Sequence, residues 1–113
     1  MTISKLEKPV WKNYFDRMSK ILTGKNAELE VDALEIGSQI QAEWVPLTGI
    51  LYDPQSDTLA VMVEGLDHMI RRPASLFVDM EAGALSSMEV IDADQVRHII
   101  KLRDPLMLPA PPQ

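Results

Sequence analysis

A chain of 113 residues, 46% hydrophobic and 25% charged, has the length and balance of one ordinary globular domain. It contains no cysteine, which excludes disulfides and thiolate metal sites. The net charge of −6 is unevenly placed: residues 1–26 hold six cations and two acids (+4), and residues 27–113 hold five cations and 15 acids (−10). The body of the chain therefore repels nucleic acid, whose binding needs several phosphate-neutralising cations. The first residues lack the apolar core of a signal peptide, and no window approaches the roughly 18 consecutive apolar residues of a membrane span. The expectation is a cytoplasmic protein with no membrane insertion.

The first element is an amphipathic helix over 9–23. Val10, Trp11, Tyr14, Phe15, Met18, Ile21 and Leu22 recur at helical spacing, and Lys12, Asn13, Asp16, Arg17, Ser19 and Lys20 fill the opposite face. Pro9 suits the first helical position and Gly24 the position just past the end. The aromatic trio is a docking face for the core.

From Ala27 the period changes to two. Ala27, Leu29, Val31 and Ala33 alternate with Glu28, Glu30 and Asp32, a half-buried strand with a solvated acidic face. Gly37-Ser38 reads as a turn before a second strand through Ile40, Ala42 and Trp44. Pro46 and Gly49 mark a sharp bend, since proline cannot donate to a sheet ladder. Residues 50–52 resume extended structure, and Asp53-Pro54-Gln55-Ser56-Asp57 is a turn by composition. Thr58–Glu64 is apolar on both faces, as in a central strand, and Gly65 ends it. Leu66, His68 and Ile70 then share one face, with Asp67, Met69 and Arg71 on the other. Strands follow around Leu76–Met80 and Ser87–Ile91. Residues 94–103 fit either a short helix or a last strand with Val96, His98, Ile100 and Leu102 on one face; the β-branched pair Ile99-Ile100 favours the strand. The chain is thus expected to be α+β, with an N-terminal amphipathic helix followed by a strongly bent antiparallel sheet or small barrel of five to six strands. One domain should span residues 1–109, with a Pro-rich flexible tail over 110–113.

Catalytic signatures are missing. The five glycines are isolated, and neither a nucleophile elbow nor paired histidines at metal-ligand spacing occurs. The best polar cluster is Asp67, His68, Arg71 and Arg72, because the arginines follow 45 residues without a Lys or Arg. An arginine can fork two N–H bonds onto a carboxylate or phosphate, and His68 beside Asp67 could titrate near neutral pH. Against this, Glu64, Asp79 and Asp104 are available as internal partners for the arginines, and alternation sends Arg71 and Arg72 to opposite faces. His98, on an apolar strand face, reads as structural.

The segments Leu6-Glu7-Lys8-Pro9-Val10-Trp11, Glu43-Trp44-Val45-Pro46-Leu47, Gly49-Ile50-Leu51-Tyr52-Asp53-Pro54, Leu66–Pro73 and Leu102–Pro109 together resemble an uncharacterised family of small bacterial proteins. The resemblance implies a bacterial origin and carries no activity, cofactor or catalytic residue with it. The sequence therefore points to a non-enzymatic binding or interaction module without cofactor. Its candidate contact residues are Tyr52, Asp53, Asp67, His68, Arg71 and Arg72. Its partner would be another protein or a second copy in a homodimer. The alternative is a small anionic ligand held by His68 with Arg71 or Arg72.

Overall fold

Pro9 opens a 3-10 turn, Lys8–Val10, that runs directly into helix α1, Trp11–Leu22. The indole N–H of Trp11 donates to the Leu6 carbonyl at 2.8 Å and fixes the entry angle. At the other end Gly24 takes φ +96, a conformation that only glycine adopts without strain. Its N–H donates to the Leu47 carbonyl at 2.9 Å, so the helix end is tied to the sheet. The structure, a computed structural model, describes residues 2–81 and 84–104. Residues 110–113, expected to form a flexible tail, lie outside that set.

The described residues form eight strands besides the helix: β1 (Thr2–Leu6), β2 (Asn26–Ala33), β3 (Gly37–Asp53), β4 (Thr58–Val63), β5 (Leu66–Arg71), β6 (Pro73–Glu81), β7 (Ala84–Asp92) and β8 (Arg97–Arg103). They lie in the order β1-β6-β7-β8-β2-β3-β4-β5, and every neighbouring pair is antiparallel. The segment 94–103 resolves as a hairpin turn and strand. The turn between β2 and β3 falls on residues 34–36, just before Gly37 at φ +72.

Two expectations need correction. The described residues form eight strands, not five or six, and their sheet does not close into a barrel: β1 and β5 each have one strand neighbour. One strand that the sequence reading did not place at all, β1, has no alternating run to reveal it. Its extended state is set by pairing with β6, from Thr2↔Met80 to Leu6↔Leu76. The sheet instead doubles back, so that β5 meets β8 through His68 and His98.

The 17-residue strand β3 makes the first crossing. Its first half pairs with β2 as far as Asn26↔Pro46, and its second half pairs with β4 from Leu47↔Val63 onward. Between the halves Trp44 takes φ +50, with the Arg103 guanidinium 3.8 Å from its ring centroid. That stacking helps to hold an unfavourable backbone conformation. The second crossing is Arg72, at φ +51, where β5 leads straight into β6. Its N–H donates to the Asp57 carbonyl and its own carbonyl accepts from the Ala93 N–H.

The core lies inside the doubled sheet and under the helix, and includes Leu29, Leu47, Ile50, Leu59, Val61, Ile70, Leu76, Val90 and Ile100. Helix α1 packs on the second half of β3 with Trp11, Phe15 and Leu22 buried. The Ile50 N–H donates to Ser19 Oγ at 3.2 Å. A Cβ at Gly49 would meet Met62 Cε at 3.0 Å, so only glycine fits there without displacing its neighbour. Among the described residues no helix is long and apolar enough to cross a membrane.

Candidate functional site

The sheet fold brings the two histidines together. His68 on β5 and His98 on β8 sit on inward faces, flanked in register by Val61 on one side and by Val90 and Val31 on the other. His68 Nε2 lies 2.9 Å from His98 Nδ1, and His98 Nε2 lies 3.0 Å from Asp92 Oδ2. Asp92 Oδ1 accepts from the N–H groups of Asp94 and Val96, which closes the turn between β7 and β8. Burial pushes the Asp92 carboxyl up, but the bonds from His98 and the two backbone N–H groups outweigh it and hold the group below the usual carboxylate range. Asp92 is therefore an anion that accepts from His98 Nε2–H. His98 Nδ1 is then the acceptor for His68 Nε2–H. The result is a directed chain from the turn through β8 to β5. Burial, together with neighbouring His98, lowers the pKa of the half-buried His68.

Around the Arg72 crossing a second polar cluster forms. The Tyr52 hydroxyl donates to Asp57 Oδ1 at 2.6 Å, and Lys8 Nζ reaches the same oxygen at 2.8 Å and the Pro73 carbonyl at 2.9 Å. Burial and the Asp57 carboxylate push the Tyr52 hydroxyl up to about 12, so it stays protonated as a donor. Lys8 and the Tyr52 hydroxyl hold Asp57 below its ordinary value. Trp11 packs edge-on against Tyr52 with centroids 5.3 Å apart, which ties this cluster to the helix.

The six residues singled out in the sequence do not converge on one site. Tyr52 is buried and bonded to Asp57. Asp53 is absorbed by the turn that follows it, accepting from Gln55 N–H at 3.0 Å and from the Ser56 hydroxyl at 3.0 Å. His68 faces inward to His98. Asp67 and Arg71 are exposed on the other face of β5. Arg72 Nη2 reaches both oxygens of Asp94 at 3.2 Å, and both side chains remain largely exposed. Its partner is none of the acids named from sequence; Asp104 instead pairs with Lys25. The sequence reading missed His98, Asp92 and Asp57 as members of polar clusters. His98 carried a usable signal, since it shares an inward strand face with Ile100 and Leu102, as His68 does with Ile70.

A different kind of feature lies on β3. No strand pairs with the far side of residues 37–46 among the described residues, although residues 47–53 of the same strand are paired on that side by β4. Residues 37–41 are exposed on both faces, and the adjoining turn exposes Leu34 at 99% and Ile36 at 60%.

Comparison with known proteins identifies the family. A model described as a family of unknown function, DUF5335, matches residues 2–111. The chain belongs to that family. A relative described as an uncharacterized protein, from Aquifex aeolicus (strain VF5), is 36% identical over 110 residues, covering 96% of this chain and 99% of the relative. The family match spans the whole described chain. No solved structure matches the chain.

Proposed function

We propose that the chain is a non-enzymatic interaction module that binds another polypeptide through the open edge of β3. The observation that supports this is the contrast along one strand. Its second half is paired and buried, and its first half leaves backbone N–H and C=O groups unpaired beside Ile40, which is 48% exposed. Such an edge is a template for strand addition, in which main-chain bonds give affinity and alternate side chains give specificity. Of the six polar groups singled out in the sequence to serve a contact or a small ligand, His68 is directed inward and Tyr52, Asp53 and Arg72 are engaged by neighbouring residues, while Asp67 and Arg71 lie exposed on the opposite face of β5 from His68. Reading the site as an anion pocket has weaker support, because Arg72 is engaged by Asp94 and Arg71 faces away from His68.

Affinity capture of the tagged protein from its own cells tests this, with Ile40→Lys and the Arg71→Ala/Arg72→Ala double variant alongside. The proposal expects a partner, counting the untagged chain as one, that the double variant keeps and Ile40→Lys loses. The same profile for wild type and Ile40→Lys would overturn it.

A further inference from the structure

We propose that the outer face of strands β1, β6, β7 and β8 carries a second site, for a protonated amine on a short apolar stem, with the Asp79 carboxylate as its counter-ion. It is separate from the open edge of β3 and does not depend on it.

Strand pairing builds the site. Ile3 of β1 stands opposite Asp79 of β6, and Asp79 stands opposite Ser87 of β7. In the next row on this face Phe77 stands opposite Glu89, which stands opposite Ile99 of β8. Directly opposed residues share a face, and alternate residues of one strand do too, so all six side chains lie on one side of the sheet. The β6–β7 register shift falls between Asp79 and Met80, beyond both rows, and leaves them in step. There the Ser86 hydroxyl donates to the Asp79 carbonyl at 2.9 Å and holds the backbone in place. The two rows line a cavity of about 130 Å³. An apolar cavity of roughly 150 Å³ accepts a benzene ring, so this one admits a stem of about four carbons.

The lining selects the ligand. Ile3, Phe77 and Ile99 form apolar walls, and the charged groups between them are carboxylates. Glu89 is already engaged by Arg97. Asp79 is not engaged: its Oδ1 is buried, and among the described residues no N–H or O–H group donates to it. The nearby lysines do not neutralise it. Lys101, opposite Ser87, lies 3.9 Å from Glu28, and Lys5, opposite Phe77, is exposed. A buried carboxylate oxygen is costly without a donor, so the site favours a ligand that brings one. Asp79 lines the cavity, and the broad, two-fold χ2 torsion of an aspartate lets either oxygen turn to a ligand there. An ammonium group supplies N–H donors and positive charge together. An alcohol supplies only the donor, and a carboxylate is repelled by Asp79 and Glu89. The net charge of −10 over residues 27–113 draws cations to this face.

Titration of the isotope-labelled full-length protein with n-butylammonium chloride, followed by amide NMR shifts, tests the site. Saturable shifts should appear around Phe77–Asp79, Ser87–Glu89 and Ile99, while n-butanol and sodium butyrate at the same concentrations leave these amides in place. Asp79→Asn should weaken amine binding by about tenfold or more, as loss of a charge-assisted bond does. Lys5→Met should bind the amine at least as well as the wild type. Ile3→Lys, at a position 67% exposed, sets an ammonium of the chain itself opposite Asp79 and should abolish the response. Dispersed amide spectra establish that each variant is folded. Equal shifts with n-butanol and n-butylammonium, no saturable shift with the amine, or a response unchanged in either Asp79→Asn or Ile3→Lys would overturn the proposal.

Discussion

The interior chain Asp92–His98–His68 and the first half of β3 are opposites. The first is made of residues that carry chemistry, and nearly all of their polar atoms are spent on one another. The outer part of the second, residues 37–42, is made of Gly, Ser, Gln, Ile and Ala, residues with no catalytic character, and its backbone is left open on one side among the described residues. In this fold the polar side chains join the two layers of the doubled sheet, and the plain strand keeps one backbone edge unpaired among the described residues. A residue's capacity for chemistry and its availability are separate properties, and here they have parted.

The largest test of that contrast is to break the interior chain. Asp92→Ala strands the His98 donor and two backbone N–H groups in a buried turn, and should lower unfolding stability by about 2–4 kcal/mol in urea titration. A smaller but more specific effect is the coupling between the rings. A double-mutant cycle of His68→Ala and His98→Ala should give an interaction energy of about 1 kcal/mol, because the rings share a direct hydrogen bond across the two layers. A value near zero would mean that the two layers are held by apolar packing alone.

Acid should weaken the interior and leave the edge intact. His68 binds its proton less readily in the folded chain than in the unfolded one, so below its ordinary value of 6.5 the unfolded state holds more protons. Stability is therefore greatest above 6.5 and falls as pH drops through the folded value. Asp92, held low in the fold, adds a further loss below 3.8. The urea midpoint should decline on acidification through 6.5 in the wild type, and this first decline should be absent in His68→Gln. At the small end, Arg72→Ala should change stability by no more than about 0.5 kcal/mol, since its ion pair with Asp94 is solvent-exposed. Ile40→Lys should be equally mild for folding while abolishing edge pairing, which is the comparison in its sharpest form.

Local pattern made much of this architecture legible. The face assignment on β5 and β8 follows from alternation, and both inward histidines were visible in it. Helix α1 is announced by Pro9, by the spacing of its apolar residues and by Gly24. What local pattern could not carry is anything decided by distant pairing. Thr2–Leu6 is a strand because β6 lies beside it, and Arg72 finds Asp94 because the β7–β8 turn folds back to the crossing. The meeting of His68 with His98 depends on both crossings at once. The open edge of β3 was hidden for a related reason: the sequence suggested a bend at Pro46, but only the pairing pattern reveals that β4 stops there and leaves the first half uncovered.

The central claim is that the open half of β3 is the contact surface, and hydrogen exchange of the full-length protein alone and in complex with the partner recovered by affinity capture tests it most directly. Amides in that segment should gain protection in the complex, while those of β5, Leu66–Arg71, should not change. Protection gained in β5 instead, or in neither segment, would contradict the account.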